Sequence, residues 1–251
     1  MERKYYGSID GLRTYACIGI VMMHMLSRDN NQYNISGFVF ETIIPSFTNF
    51  VFLFMVISAF GMCCGYYERM LKGKVNLTAF YGKRFQRIFP FFAVLVLLDL
   101  TMNPSMGTLY EAFADLTLMF GLGNAEISVI GVGWFLGTIF VFYLIFPFFC
   151  VLMENKRRAW FVLMVSAIWN FASVNYFELN RMNILHSGCF FVAGGLIYLY
   201  RNEIEKIKRW VGAGIITISV FLYYSIGNNS MMCLLVSAAF LVYAVLLGGG
   251  T

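Results

Sequence analysis

The stretch Ile9–Ser27, IDGLRTYACIGIVMMHMLS, starts with an arginine and carries a histidine near its far end. Arg13 and His24 are eleven positions apart, which on an α-helix brings them within ~20° of one another and ~16 Å apart along the axis. A lipid-facing helix has no use for either group, because a charge in hydrocarbon costs several kcal/mol unless it is paired or faces a polar cavity. The shared face therefore predicts the wall of an active-site tunnel. An imidazole placed past the midplane toward the outer side can act as a general base, taking the proton from a hydroxyl as it attacks an acyl carbonyl. The alternative for His24 is a hydrogen bond that bridges two helices. Arg13 follows Asp10 by three positions, so the two can pair across the first turn while Asp10 caps the helix; otherwise Arg13 is an interfacial anchor. Cys17 lies on the same stripe, either as an acyl relay or as a small residue between helices.

Four other places offer chemistry. In AFYGKRFQRIFPFF, residues 79–92, Arg84 and Arg87 are three apart and make a two-guanidinium fork for phosphate, or simply a topology signal. Pro90 is expected in the first turn of the span that follows. Trp134 opens GWFLGTIFVFYLIFP from the outer interface, where indole is ordinarily an anchor. Ser58 sits in FMVISAFGM, whose small residues allow helices to approach closely. Asp99 is either an intramembrane carboxylate, paired with a cation or holding a histidine tautomer, or a group at the outer water boundary. His186 is expected at the outer interface.

The elements that must position these residues follow from composition. The chain has 251 residues, 60% hydrophobic and 12% charged, with a mean hydropathy of +0.73. No soluble core of this size hides so many Phe, Leu, Ile and Met side chains, and soluble domains carry roughly 25% charged residues. The expected fold is all-α, a polytopic membrane helix bundle of about eight transmembrane helices forming a single domain over residues 1–251. Spans are placed near 12–27, 46–66, 88–102, 134–151, 160–176, 184–200, 211–226 and 231–247. With the N-terminus in the cytoplasm, the cytoplasmic segments hold all 18 Lys and Arg residues except Arg28 and Arg181. The net charge of +5 is thus a topology signal, and no nucleic-acid partner is expected. The segment from Asn103 to Gly133 has Glu111, Asp115 and Glu126 and no basic residue, which fits the external face; within it 109–122 reads as a re-entrant or interfacial helix near the acceptor site. The six cysteines show no metal spacing, no metal is expected, and they read as small core residues. Arg13 and His24 interrupt the first apolar stretch, so it is expected to stay in the mature protein rather than act as a signal peptide.

Taken in order, these stretches resemble the membrane-bound acyltransferase 3 family, whose members O-acylate surface polysaccharides and related acceptors. DGLR with His24 is similar to the family's first-span Arg and His, ISAF to its SGF element with Ala59 for Gly, and RFQRIFP to its R-x-x-R with the following proline. WFL with Tyr143 and Pro147 is similar to its W-x-L block, and CFFVAGG at residues 189–195 to a later F-x-x-G span. The resemblance implies a catalytic role for His24 with Arg13 in support, and a grip on the phosphates of acetyl-CoA or another acyl-CoA by Arg84 and Arg87. It implies an extracytoplasmic carbohydrate acceptor and a multi-pass protein of the bacterial plasma membrane. Many members carry acids five and six positions after the tryptophan, where this chain has Ile139 and Phe140, so that role is not carried over. Members usually have about ten spans, so eight predicts a C-terminally truncated chain lacking its last pair. The rival class is a membrane transporter of a small polar solute or lipid-linked glycan, which could keep the cavity while losing the base or the donor site.

Overall fold

The computed structural model describes residues 5–28, 36–118, 122, 133–179 and 181–248, and every regular element among them is helical. Helix α1 covers Gly7–Arg28 and α2 covers Phe50–Leu71, the latter led in by short π, α and 3₁₀ turns from Val39. Then come α3 Leu77–Met102, α4 Met106–Leu116, α5 Trp134–Leu152, α6 Lys156–Tyr176, α7 Ile184–Leu199, α8 Arg209–Ile226 and α9 Ser230–Gly248. A backbone that has no water to bond must satisfy itself, and a helix does so within one segment.

The ends are set by local chemistry. Asn76, Ser105 and Asn155 each accept a hydrogen bond from the backbone N–H three residues on, capping α3, α4 and α6. At the end of α2, Gly73 adopts φ +63°, and the N–H groups of Gly73 and Lys74 return to the carbonyls of Met70 and Arg69. That is the Schellman arrangement, and it needs a residue free to take a left-handed conformation.

Six helical segments among the described residues are long and apolar enough to cross a membrane: Val39–Leu71, Leu77–Met102, Trp134–Leu152, Lys156–Tyr176, Arg209–Ile226 and Ser230–Gly248. The two other expected spans are helical as well. Asp10, Arg13 and His24 hold down the hydropathy of α1, and α7 has only 16 residues. Phe91, Val94, Leu97 and Leu98 of α3 are more than half exposed, the outward apolar face that lipid requires of a spanning helix.

Pro90 is not in a first turn. The basic segment before it is itself helical, because Asn76 starts α3 eleven residues earlier than expected, so Pro90 lies in the helix interior. Of the helix expected at 109–122, α4 starts earlier, at Met106, and ends at Leu116, Leu118 turns the chain at φ +56°, and residues 119–121 lie outside the described residues.

The chain forms two compact units, one of residues 1–65 and 190–251, the other of residues 66–189, with the divides inside α2 and α7. In the first unit, Phe52 of α2 stacks on Phe190 of α7 at 4.3 Å between ring centroids. One turn on, the backbones come so close that a Cβ at Gly194 would lie 2.2 Å from the Val56 carbonyl oxygen and 2.9 Å from the Ala59 Cβ. The small residues of ISAF and CFFVAGG thus make the close approach that their size permits. The core of the second unit is aromatic: Phe80 of α3 stacks on Phe146 of α5 at 5.9 Å, and Phe142 and Phe149 meet Phe146 edge-on and stacked respectively. All six cysteines are free thiols; Cys63, Cys150, Cys189 and Cys233 are buried, whereas Cys17 is exposed.

At Gly194 the obstruction is backbone, which cannot rotate away. Gly194→Ala is expected to destabilise the protein by about 1–3 kcal/mol, the range for overpacking. A lowered melting temperature in detergent, beside an unchanged one for Gly188→Ala, where a Cβ meets nothing within 4 Å, checks this.

Candidate functional site

The stripe on α1 is held from several sides within its unit. Tyr6 donates a hydrogen bond to Glu205 (2.8 Å) and meets the Phe60 ring edge-on, and Ser8 donates to the Ala244 carbonyl of α9 (2.5 Å). Further along, Gly19 lets α1 close on the Phe50 ring, 2.5 Å from where its Cβ would be. Helix α1 is therefore fixed in both position and rotation.

Asp10 accepts from Arg13 Nη1 (2.7 Å) and from the Tyr5 hydroxyl (2.5 Å). The pairing read from the i, i+3 spacing is present. The Tyr5 hydrogen bond, ahead of the Arg13 guanidinium, pulls the Asp10 carboxyl below its ordinary range. The other end of the guanidinium, Nη2, lies 3.3 Å from where a Cβ on Gly61 would stand. A glycine in FMVISAFGM thus makes room for Arg13. Ser58, one turn before Gly61, is half-buried between Ile57 and Ala59, both without exposure.

His24 is half-buried and makes no hydrogen bond or ion pair among the described residues. Among the described residues no helix-bridging hydrogen bond to it is made. Ala16 and Gly19 are buried and Tyr15, Ile18 and Met25 exposed, so the Arg13–His24 stripe runs along the edge of the packed face of α1 rather than its centre. An imidazole with an open nitrogen at such an edge can take a proton from an incoming hydroxyl.

Arg84 and Arg87 lie in the other unit, on α3. The Arg84 guanidinium carbon lies 4.7 Å from the Tyr66 ring centroid, 5.1 Å from Phe80 and 5.5 Å from Tyr143. This aromatic enclosure attracts the cation through the ring faces. Its Nε is buried with no hydrogen-bond partner. A buried, unanswered guanidinium donor is a place where an anionic oxygen gains most. Arg87 is exposed. The two arginines thus have different surroundings, one enclosed and one open, rather than forming an equivalent pair. One ring of the enclosure was legible: Phe80 precedes Arg84 by four residues, a spacing that meets on a helix, whereas Tyr66 stands on the preceding helix. Nothing local tied Tyr143 to Arg84.

Trp134 is not an interfacial anchor. It is 4% exposed, with the Arg181 guanidinium 5.3 Å from its ring, and its carbonyl accepts from Thr138. His186 is likewise buried, accepting at Nδ1 from Asn170 Nδ2 at 3.0 Å, rather than interfacial. Each is buried beside its own polar partners, Trp134 beside Arg181 and Thr138, and His186 beside Asn170 of α6. Asp99, half-buried in the last turn of α3, accepts from Asn103 (3.3 Å) and pairs with neither a cation nor a histidine among the described residues. Its neighbour in charge is Asp115 of α4, 4% exposed, with Oδ2 unpartnered. Burial first, then the charges of Glu111 and Asp99, push the Asp115 carboxyl up to about 6.

The family model described as an acyltransferase domain, of the acyltransferase 3 type, matches residues 6–250, and the chain belongs to that family. No curated protein and no solved structure matches it.

The Asp115 carboxyl binds its proton more tightly folded than unfolded, so its contribution to stability is highest below the unfolded value of about 4. It falls as pH rises to about 6 and stays low above that. Asp115→Asn is expected to remove that fall, raising stability at pH 7.5 by at most about 3 kcal/mol. Melting curves in detergent from pH 4 to 8 check it: the wild type should lose stability across the window and the variant should not.

Proposed function

We propose that this member of the acyltransferase 3 family moves an acyl group, acetyl by default, from cytoplasmic acyl-CoA to a hydroxyl of an extracytoplasmic carbohydrate acceptor. The observation that carries the reading is His24, a half-exposed imidazole with no partner among the described residues, on the same continuous helix as an arginine whose position is fixed by Asp10 and Gly61.

In this mechanism His24 accepts the proton of the acceptor hydroxyl as its oxygen attacks the thioester carbonyl. The tetrahedral intermediate collapses with cleavage of the C–S bond. The imidazolium returns its proton to the departing thiolate, giving the ester and free CoA. Arg13, three turns before His24 on the same stripe, lies along the path of the donor's pantetheine arm, and its pairing with Asp10 keeps it from swinging away. Arg84, with its buried unsatisfied Nε, and Arg87, open to solvent, hold the donor's phosphates. A cytoplasmic N-terminus, the orientation that the positive-inside rule favours for this distribution of Lys and Arg, supports the direction of transfer.

Membranes containing the chain, supplied with radiolabelled acetyl-CoA, test this. Label is expected to enter a glycan or lipid-linked fraction with the wild type. His24→Ala should cut the rate by roughly 100-fold or more, the scale of a lost general base. Arg84→Ala should raise KM for acetyl-CoA by about ten-fold or more, as for a lost hydrogen bond to a charged group, with kcat changed less. Absence of transfer by a folded, inserted wild-type chain would overturn the enzyme reading in favour of a transporter.

A further inference from the structure

The unit of residues 1–65 and 190–251 contains a cavity of about 180 Å³. Its walls are Phe47, Phe50, Leu53, Val220, Val236 and Phe240. Most polar groups beside them are already bonded to protein: the Ser46 and Tyr224 hydroxyls lie 2.9 Å apart, and Asn49 donates to the Tyr223 hydroxyl (2.8 Å) and to Asn228 (3.0 Å), with the small hydroxyl of Ser237 also on the wall. What remains is apolar space. An apolar void near this size stays dry and accepts a hydrocarbon group; ~150 Å³ holds a benzene, so the room here is for roughly six carbon atoms.

Three placements narrow the occupant. First, the cavity lies between the first turns of α2, the last turns of α8 and the first turns of α9, the end that the Lys and Arg distribution makes extracytoplasmic. Second, Tyr224 both lines the cavity and is 38% exposed, next to Ile218 and Phe221, which are more than 60% exposed on α8. The cavity thus borders the lipid-facing surface. Third, Gly19 of α1 lies against the rings of Phe50 and Phe47, a stacked pair 4.9 Å apart that also lines the cavity. His24 follows Gly19 by five residues on the same helix. No residue of α1 itself lines the space, so it does not suit the acyl group being transferred, which must meet His24. It suits a chain that anchors the molecule presenting the hydroxyl.

We infer that this cavity holds part of the hydrocarbon tail of a lipid-anchored acceptor, entering from the bilayer past Tyr224, so that the acceptor is a membrane-anchored hydroxyl compound rather than a free sugar. The inference rests on the reading of His24 as the base that activates that hydroxyl. The rim of Ser46, Asn49, Tyr223 and Tyr224 marks where the tail gives way to the polar head.

The test compares an octyl glycoside with the methyl glycoside of the same sugar as acceptors for the full chain in nanodiscs. The octyl acceptor is expected to show a KM lower by roughly ten-fold or more, from burial of several methylene groups. Val220→Trp, which fills the cavity from a half-buried position, should raise that KM to the methyl level and leave kcat and the methyl acceptor unchanged. Val236→Phe serves if the first variant does not fold. Equal KM values for the two acceptors, or variants with no effect on the octyl acceptor, would overturn the inference while leaving acyl transfer standing. If the wild type transfers to neither acceptor, the acyl-transfer reading has failed, and the cavity is judged by binding alone. An octyl glycoside with a photoactivatable diazirine at the tail's end should then label Phe50, Tyr223 or Phe240, and lose that labelling in Val220→Trp. Labelling elsewhere, or none, would overturn it.

Discussion

A charged side chain packed against apolar helix surface must be paired, enclosed or brought to a helix end, and four side chains of this protein meet that requirement in different ways. Arg13 meets it by pairing with Asp10, which the Tyr5 hydroxyl also supports. Arg84 meets it by lying among three aromatic rings. Arg158 meets it at the end of α5, where it donates to the carbonyls of Val151 and Leu152 in the last turn and pairs with Glu154. Asp115 answers it differently: with one oxygen unpartnered, its carboxyl holds a proton to a higher pH. Each solution fixes a side chain in place as a by-product of removing its cost, and fixed polar groups are what a reaction needs.

The same requirement explains how much could be read from sequence. Long apolar runs separated by basic loops placed the helices, because hydropathy and charge act residue by residue and need no knowledge of neighbours. The Asp10–Arg13 pair and the close approach at ISAF were legible for the same reason: spacing along one helix and side-chain size are local properties. Whatever depended on a second element was not. Trp134 and His186 looked interfacial by their position at span ends, yet both are buried, Trp134 beside Arg181 and His186 against Asn170 of α6. The start of α3 was placed too late because hydropathy begins after the basic residues, whereas the helix begins at the Asn76 cap. The enclosure of Arg84 needed a ring from α5, nearly sixty residues further along the chain.

Helix α4 reverses the usual arrangement of an amphipathic helix. Met106, Leu109, Tyr110 and Phe113, spaced as one stripe, are exposed, while Ala112 and the carboxyl of Asp115 are buried. In water this would be an error of folding. Beside the outward apolar face of α3, with which it packs, this stripe is the surface that an interfacial helix offers to lipid, whereas the expectation of such an element came from an apolar run too short to span.

Two helices that contribute rings to the Arg84 enclosure or stack against it carry a proline in their interior, Pro90 in α3 and Pro147 in α5. A proline offers no N–H, so the carbonyls of Gln86 and Tyr143, four residues earlier, lose their intrahelical donors. Both freed oxygens sit within a turn of the enclosed guanidinium's own anchors: Gln86 lies between Arg84 and Arg87 in sequence, and Tyr143 supplies one of the rings. The ladder is interrupted in both arms at this level, so bending there breaks no hydrogen bond that was ever made. Two of the three rings around Arg84, Phe80 of α3 and Tyr143 of α5, are thus carried on helices with such a joint, whereas Tyr66 stands on α2, which has none.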